Sequence, residues 1–497
     1  MSETRLNKKE RLTQRFLEIL PGFLSWNLIL FPYWGIFVIP NAVAYFILGY
    51  NIYWFYQSLQ IAITATISHF RIQAAIKYDW VKDLKSFPDW KKVRHIVIIP
   101  TYKEPLYILE RTLDSLKKQT LPTKQLIVIV AMEEKEDKND RLEKIKALKK
   151  KFKGTFGELC FTHHKLVAGE AVGKASNERY AALWVKKNII QKKNLDIRYL
   201  TVTSCDADHK YHPNHFAYLT YKFLDNPKRY SFFWQPAILF YNNIWDLPAI
   251  TRVTNTLGSI WNLSQLPRKD RLINQQNYSL SFMLLDEAGY WDPDKIPEDW
   301  GIFFKAFFKK NGKVEVEPIY LPIYVDAALA KGFWATLKNQ YQQYKRWAWG
   351  VSDLPWIIKN YISNNKISFW NKTTRVIHAL WAHILWPVNW FVITIGLTLP
   401  TVINPAFGRT TLGYAVPKIS SSILTISLLF LAITLFLDSK YKPEIPKKNM
   451  FIKALLSPVE FVLMPIAGFF LSALPGIDAH TRLMLGKYLE YKVTEKV

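Results

Sequence analysis

The most restrictive feature of this 497-residue sequence is a long uncharged run near its N-terminus. From Ile19 through Phe70 there is no Asp, Glu, Lys or Arg over 52 residues, and Pro40 and Asn41 divide the run. A bilayer core requires about 20 apolar residues per helix, whereas the apolar core of a cleaved signal peptide has only about 7–15. The sequence therefore predicts two membrane helices, over about residues 24–40 and 42–66.

Three further apolar segments lie near the C-terminus. Residues 376–408 and 419–437 are uncharged, and residues 454–477 carry only Glu460. They predict three more crossings, near 376–402, 420–438 and 453–475. Lys and Arg flank the N-terminal run on both sides, and the positive-inside rule places such flanks in the cytoplasm. We expect an integral, multi-pass protein of the plasma or inner membrane.

Composition excludes several other classes of protein. With 49% hydrophobic residues the chain is not disordered, and its two cysteines exclude a disulfide scaffold or a Cys-rich metal module. The net charge of +26 would suit nucleic acid, but no groove-binding motif accompanies it. We therefore expect a lipid bilayer and no nucleic acid as partner, since basic faces also suit anionic headgroups.

The segment between the membrane parts has the pattern of an alternating α/β domain. Short apolar runs predict strands at 96–99, 125–130, 158–162 and 197–204, and helical spacing predicts helices over 106–116 and 175–189. Strand–helix–strand units of this length form parallel sheets. Ligands of such sheets bind beyond the carboxyl ends of the strands, where residues 101–104, 132–134 and 206–208 should converge.

Two carboxylates directly follow the fourth predicted strand. Asp206 and Asp208 are two residues apart, so both can point to the same side. Paired oxygen ligands suit Mg²⁺ or Mn²⁺ bound to a diphosphate. His209, His212 and His215 could be interpreted as a zinc cluster, but no Cys pair joins them. Surface or helix-start histidines are the preferred interpretation.

Two other motifs each leave two interpretations open. The segment from Gly169 to Ala175 lacks the spacing and the Ser/Thr of a phosphate loop, which excludes a Walker-type NTPase. Lys174 begins a predicted helix, where it could meet a phosphate or only solvent. Glu298 and Asp299 also begin a predicted helix, where they could cap it or supply a general base.

A third motif lies on a helix that follows the α/β domain. Gln343, Arg346 and Trp347 are spaced i, i+3, i+4 and share one helix face. Trp347 could stack on a sugar ring while Arg346 meets a pyrophosphate, or the two could form a cation–π contact in the core. The aromatic stripe of the same helix favours amphipathic helices lying in the membrane interface over residues 331–372.

Taken together, these motifs resemble those of the membrane-embedded family 2 glycosyltransferases, which include the cellulose, chitin and hyaluronan synthases. The motifs are residues 96–105, Asp206-Ala-Asp208, Glu298-Asp299 and the QxxRW pattern of 343–347, in this order between membrane helices. The resemblance covers nearly the whole chain. It implies an α/β GT-A fold (nucleotide-diphospho-sugar transferase, Rossmann-like) inserted between N-terminal and C-terminal transmembrane helices. It also implies an inverting mechanism and a nucleotide-diphosphate sugar donor, expected to be a UDP-sugar.

The resemblance implies a role for each matching residue. Asp299 would be the general base with Glu298 beside it, and Asp206 and Asp208 would hold Mg²⁺ or Mn²⁺. The donor and nucleotide would contact Thr101, Tyr102, Glu104, Glu133, Lys174, Asn177 and Asp206, and the acceptor and diphosphate would contact Gln235, Gln343, Arg346 and Trp347.

The implied domain order runs through the whole sequence. It comprises a basic cytoplasmic N-terminus (1–22), two transmembrane helices (23–70), a cytoplasmic catalytic domain (81–330), interfacial helices (331–372), about three transmembrane helices (373–476) and a tail (477–497). The ending from Tyr491 to Lys496 is similar to a tail that is cytoplasmic in relatives. Five crossings from a cytoplasmic N-terminus would instead leave it outside.

Some segments depart from the family pattern. Met132-Glu133-Glu134 stands where many members have an Asp-Asp pair, so we expect Glu133 to contact the nucleobase. Asn277 to Phe282 replaces the usual small residues, which leaves the acceptor pocket and the sugar open. No cyclic-dinucleotide-binding barrel is visible after Arg346.

The expected function is transfer of sugars to a growing polysaccharide that is exported through the adjacent helices. A non-processive enzyme that adds one sugar to a lipid such as polyprenyl phosphate is the alternative, and an inactive GT-A membrane scaffold is a further one. Six polar residues of the apolar segments could line an exit channel, although internal hydrogen bonding is their default role. They are Asn51, Gln57, Gln60, His378, His383 and Asn389.

Overall fold

The structure, a computed structural model, describes residues 7–447 and 450–489. The predicted tail segment from Tyr491 to Lys496 therefore lies outside the described residues. The described helices are α1 (Lys8–Val38), α2 (Pro40–Lys77), α3 (Trp80–Leu84), α4 (Leu106–Lys117), α5 (Lys138–Lys151), α6 (Lys174–Val185), α7 (His215–Asp225), α8 (Ala249–Gln265), α9 (Phe282–Ala288), α10 (Asp299–Lys309), α11 (Phe333–Ala348), α12 (Leu354–Ser363), α13 (Phe369–Trp390), α14 (Leu399–Ile403), α15 (Pro405–Gly408), α16 (Thr411–Ser439), α17 (Met450–Val459), α18 (Met464–Gly468) and α19 (Leu474–Met484).

The central element is one mixed β-sheet of eight strands. The strands are β1 (Arg94–Thr101), β2 (Leu126–Glu133), β3 (Glu158–His164), β4 (Leu200–Ser204), β5 (Lys210–Tyr211), β6 (Phe232–Leu239), β7 (Tyr278–Ser281) and β8 (Glu315–Tyr324). Their order is β3-β2-β1-β4-β7-β6-β8-β5. The first four pair in parallel, and β7 is antiparallel to both of its neighbours. The predicted α/β domain, flanked on both sides by apolar helices, is confirmed.

Alternation along β1 divides the core into two layers. Val97 and Ile99 pack on one face of the sheet with Leu113 of α4, whereas Ile96 and Ile98 pack on the other face. All four residues of this strand segment are fully buried. Since side chains alternate along a strand, a continuous apolar run buries both faces of a parallel sheet. Because β1, β2 and β4 run in parallel, the loops that follow them lie at the same edge of the sheet.

Four helical segments are long and apolar enough to cross a membrane. They are Lys8–Val38, Phe369–Ile395, Thr411–Ser439 and Leu456–Met484, which coincide with four of the five predicted crossings. The fifth prediction, over 42–66, lies in α2. This helix is long enough but is not among the four, because Tyr53, Gln57 and Gln60 make it less apolar; these residues line a cavity.

Charged and polar contacts connect the sheet domain to the membrane helices. Arg252 of α8 pairs with Glu460 at 2.8 Å, and Lys345 of α11 pairs with Asp478 of α19 at 3.0 Å. Tyr241 donates a hydrogen bond to the buried carboxylate of Asp438 at the end of α16. Buried charges are costly unless they are paired, so these contacts fix the two parts relative to each other.

We expect Gly468→Ala to destabilise the protein by about 1–3 kcal/mol, because overpacking a filled core costs that much. A Cβ at this position would overlap the indole ring of Trp390. Thermal unfolding in detergent measures the change. Gly49→Ala in α2 is the matched control, since its Cβ would meet nothing within 4 Å, and it should leave the melting temperature unchanged or raised. Equal melting temperatures for the two variants would contradict this packing.

Candidate active site

A large cavity opens beyond the carboxyl ends of β1, β2 and β4. Its volume is about 1260 Å³, and it reaches from the sheet edge to the space between α2, α13 and α16. The edge that the sheet topology predicts for ligands is therefore also the end of a passage toward the apolar helices.

Two carboxylates and an imidazole form a compact cluster on the cavity wall. One ligand atom each of Asp206, Asp208 and His209 lies within 4.8 Å of the others. Asp208 Oδ2 accepts a hydrogen bond of 2.7 Å from the backbone N–H of Asp326. The Asn277 amide contacts Nδ1 of His209 at 2.9 Å. Two carboxylate oxygens with one imidazole nitrogen are a donor set that fits a divalent cation.

Lys174, the first residue of α6, lies among three carboxylates. Its Nζ is 2.8 Å from Asp206 Oδ1, 2.8 Å from Glu298 Oε1 and 3.9 Å from Glu178 Oε1. It also donates to the backbone oxygen of Gln276 at 2.8 Å. Burial lowers the pKa of Lys174, but the three carboxylates raise it well above its usual value. The lysine therefore carries a fixed positive charge in the site.

Asp299 lies at the first turn of α10 and is not a helix cap. Its Oδ1 accepts from the N–H of Trp300 at 2.8 Å and its Oδ2 from the N–H of Gln276 at 3.2 Å. Glu298, at the cap position, makes no capping hydrogen bond. Desolvation and then the charge of Glu298 raise the pKa of Asp299 to about 7. A carboxylate with such a pKa can take a proton at neutral pH.

The other end of the sheet edge carries the side chains expected at the nucleoside. Glu104 accepts hydrogen bonds from Thr101 Oγ1 at 2.7 Å and from the N–H of Tyr102 at 2.5 Å. Asn177 donates to the backbone oxygen of Ala131 at 2.8 Å. The first two hydrogen bonds lie within the turn after β1, and the third joins α6 to β2. This part of the cavity wall is therefore held in place by hydrogen bonds.

The QxxRW pattern of α11 faces the same cavity from the opposite side. Gln343, Arg346 and Trp347 line the cavity, and Lys345 on the other side of the helix holds Asp478. The Trp347 ring lies 4.9 Å from the Tyr344 ring and 5.8 Å from the Phe240 ring. Aromatic neighbours at these distances hold the indole in one orientation.

A family comparison identifies the domain that carries this site. Residues 201–437 match the family described as glycosyl transferase family group 2. The matched region includes Asp206, Asp208, Glu298, Asp299 and the QxxRW residues. Residues 201–437 are therefore similar to family 2 glycosyltransferases, the enzyme class that the sequence predicts. The predicted enzyme class and the α/β GT-A fold are confirmed, whereas the subtype is not addressed by this match.

Three solved structures are similar to the glycosyltransferase at low identity. One is the mannosyltransferase PcManGT from Pyrobaculum calidifontis in complex with GDP-Man and Mn²⁺, with 15% identity, a TM-score of 0.44 and coverage of 80% of this chain and 98% of that one. Another is S. aureus TarS 1–349 in complex with UDP-GlcNAc, with 14% identity, a TM-score of 0.33 and coverage of 80% of this chain and 94% of that fragment. GalNAc-T7 with UDP, GalNAc and Mn²⁺ has 14% identity, a TM-score of 0.33 and coverage of 63% and 58%. No curated protein matches the sequence.

The structure brings all but one of the predicted site residues of the glycosyltransferase to one cavity. The residues that line it are Thr101, Tyr102, Glu104, Glu133, Lys174, Asn177, Asp206, Asp208, Glu298, Asp299, Gln343, Arg346 and Trp347. Gln235 differs: it is buried and is not among the lining residues. Its Oε1 accepts from the N–H of Gln275 at 2.7 Å, so it supports a lining segment from behind.

His209 is the site residue that the sequence interpretation missed. The prediction that these histidines lie at the surface is wrong for His209 and His215, which are each 1% exposed. His215 is nevertheless the first residue of α7, as a helix-start histidine would be. The signal for His209 was its position directly after Asp208, at the end of the loop that follows β4.

The predicted polar residues of the apolar segments divide between the two interpretations. Gln57, Gln60, His378, His383 and Asn389 line the cavity of the glycosyltransferase. Asn51 does not: it donates to the backbone oxygen of Ile47 at 2.7 Å and to Ser420 at 3.2 Å. Asn389 does both, because it also accepts from Tyr50 at 2.6 Å. The cavity therefore has a partly polar wall among apolar helices.

We expect the kcat/KM of the glycosyltransferase to rise with pH through an ionisation at about 7, because only the carboxylate form of Asp299 accepts a proton. In Glu298→Gln the neighbouring charge is absent, so this ionisation should move to lower pH. Release of nucleoside diphosphate as a function of pH measures both effects. Glu287→Gln, a substitution at an exposed ion pair, is the control and should leave the profile unchanged. An acidic limb that stays in place in Glu298→Gln would contradict the assignment.

Proposed function

We propose that the protein is an inverting, processive glycosyltransferase that builds a polysaccharide and passes it into the membrane region. One observation carries the proposal: the cavity that holds Asp206 and Asp299 also extends between α2, α13 and α16. A growing hydrophilic chain needs a passage with polar and aromatic walls. This corresponds to the cellulose, chitin and hyaluronan synthase subtype of the family.

In the proposed reaction, Asp299 removes the proton of the acceptor hydroxyl. The acceptor oxygen attacks the anomeric carbon of the donor from the side opposite the nucleotide, and the bond from that carbon to the diphosphate oxygen breaks with inversion. The electron pair of that bond leaves with the nucleoside diphosphate, and the proton passes from Asp299 to solvent. Lys174 and Arg346, both on the cavity wall, supply fixed positive charge for the leaving diphosphate.

Asp206, Asp208 and His209 are the residues that would hold a divalent cation. When bound, Mg²⁺ or Mn²⁺ would neutralise charge on the diphosphate. The Asn277 amide also contacts Tyr211 Oη at 2.6 Å. In the structure the Asn277 Nδ2 faces both Tyr211 Oη and His209 Nδ1. A flip of the amide would turn its oxygen to both groups, so that Asn277 would accept from each and leave Nε2 of His209 as a ligand. A nitrogen ligand favours Mn²⁺ over Mg²⁺.

The donor is proposed to be a UDP-sugar. Glu133 ends β2 on the cavity wall, and a carboxylate there can accept the imide N–H of uracil. Thr101, Tyr102 and Glu104 lie at the end of the adjacent strand and would contact the nucleoside. Basic flanks of the membrane helices support a cytoplasmic location for this side of the protein.

The passage for the product is proposed to run along α2 and α13. Tyr53 accepts a hydrogen bond of 2.6 Å from the indole N–H of Trp381, so the two helices are joined through their lining residues. Trp300, next to the base, lies 6.2 Å from the ring of His378 and 5.2 Å from that of His383. Flat rings along such a path can stack on successive sugars.

A donor panel with product sizing tests the proposed function. Full-length protein in detergent is supplied with UDP- and GDP-sugars and with Mg²⁺ or Mn²⁺, and we expect a long saccharide from one UDP-sugar. Asp299→Asn should lower turnover by about a thousandfold, and Asp208→Asn should remove the dependence on the cation. Asp225→Asn, at an exposed position on α7, should retain turnover.

Each other outcome of that panel assigns a different function. A lipid carrying one sugar would show the non-processive alternative. No turnover with any donor, at any cation concentration, would overturn the proposed function and favour the inactive membrane scaffold.

We expect Ser427→Trp to shorten the polymer while the first transfer continues, because a bulky ring on α16 would fill the part of the cavity between the apolar helices and not the sheet edge that carries Asp299. Ser427 lines the cavity, and its hydroxyl donates to the backbone oxygen of Ile423 in the same helix at 2.9 Å. Ser422→Trp, on the exposed side of α16, is the matched control. The length of the product is measured by gel electrophoresis, and the initial rates of the two variants should be equal. Products of equal length from both variants would argue against this route.

A further inference from the structure

A buried histidine outside the reacting centre connects two carboxylates at the nucleotide end of the cavity. His164, the last residue of β3, is 1% exposed. Its Nδ1 lies 3.2 Å from Glu133 Oε1, and its Nε2 lies 3.1 Å from Glu170 Oε2. Glu133 belongs to the cavity wall, whereas Glu170 belongs to the segment 165–173 that leads into α6.

With both carboxyl groups ionised, the two contacts require a charged ring. A neutral imidazole has one N–H donor and one lone pair, so it can donate to only one carboxylate and would present its lone pair to the other. The imidazolium donates to both. The observed geometry, with a carboxylate at each ring nitrogen, is therefore the geometry of the protonated form.

The groups that face the ring agree with this assignment. Glu133 approaches from β2, Glu170 from the 165–173 segment, and the phenol of Tyr180 from α6 with its ring 5.3 Å away. Burial lowers the pKa of His164, but the two carboxylates more than offset it, so the pKa lies above its usual value. The protonated form then persists at neutral pH and is lost as the pH rises through the raised pKa.

Glu170 in turn holds the 165–173 segment against the cavity. Its Oε2 also accepts from the N–H of Val167 at 3.0 Å. The adjacent Ala171 donates its N–H to the backbone oxygen of Pro293 at 2.7 Å, on the loop that leads to Glu298. Leu166, Val172 and Gly173 from this segment line the cavity. Through Glu170, His164 therefore holds in place the segment of the cavity wall that leads to Lys174.

We propose that His164, as an imidazolium, is a positioning residue for the donor nucleotide: it fixes the carboxylate of Glu133 and fastens the 165–173 segment beside it. This rests on the proposed function, because it assigns the nucleotide to that end of the cavity. Loss of the proton frees one carboxylate and loosens the segment. Nucleotide affinity should therefore fall at high pH, while kcat, which depends on Asp299, should not follow this change.

Binding of UDP and GDP to the full chain in detergent, at constant Mg²⁺ and from about pH 6 to about pH 9, tests the proposal. We expect the wild-type Kd for the better nucleotide to rise at least about fivefold across this range. His164→Asn keeps an amide near the Nδ1 position and can still donate to Glu133. His164→Gln keeps one near the Nε2 position and can still donate to Glu170. Both variants should bind more weakly at low pH and lose the pH response.

Two further variants control the measurement. His163→Gln changes the neighbouring exposed imidazole, which contacts Arg141 instead, and should leave the pH response intact. Glu170→Gln keeps a hydrogen-bond acceptor but removes a charge beside His164. The midpoint of the change in nucleotide Kd with pH should therefore move to lower pH in this variant. This result tests the proposal even if the His164 variants fail to fold. In turnover assays of the His164 and Glu170 variants, the KM for the donor should change while kcat stays the same as in the wild type.

The outcomes separate the inference from the proposed function. If UDP and GDP both fail to bind the wild type at every pH, the proposed donor class is wrong, and the inference falls with it. If a nucleotide binds and its pH response survives in both His164 variants, or does not move in Glu170→Gln, His164 is not the positioning residue and the proposed function stands.

Discussion

The constraint on which the rest of the site depends is the placement of one ammonium group among several carboxylates. Lys174 contacts Asp206 and Glu298 at 2.8 Å each and lies near Glu178. These acids come from the loop after β4, the turn before α10 and α6 itself. Carboxylates buried so close together would repel one another and become protonated without a cation. Lys174 therefore allows three separate segments to meet, and the position of Asp299 follows from that meeting.

The ammonium of Lys174 and the charge of Glu298 place two carboxylates of the site in different surroundings. Asp206 is in direct contact with Lys174, whereas Asp299 is held by two backbone N–H groups next to the charge of Glu298. Direct pairing keeps a carboxylate ionised, and desolvation beside a like charge raises the pKa. The proposed roles, metal binding for Asp206 and proton transfer for Asp299, therefore fall to different acids within one cavity.

The fold was predictable where local pattern and topology agree. The strands from β1 to β4 follow from apolar runs, and the rule that ligands bind at the carboxyl edge of a parallel sheet predicts that Thr101, Glu133 and Asp206 lie together. Gln235 could not be placed that way, because only side-chain packing decides whether a residue near a site faces the cavity or supports it. His209 was missed because burial of a polar ring beside two carboxylates depends on Asn277, which is far away in sequence.

The interpretation of α2 shows where hydropathy alone fails. Its tyrosines and glutamines make it too polar to be counted among the membrane-crossing helices, yet α2 packs along α16 and presents Tyr53 and Gln57 to the cavity. A helix with one polar face among apolar neighbours must direct that face to water, a ligand or hydrogen-bonding protein groups. In this chain that face borders the passage that begins at Asp299. The polar residues that weaken the membrane signal of α2 thus form part of the cavity wall, which is what the proposed passage requires.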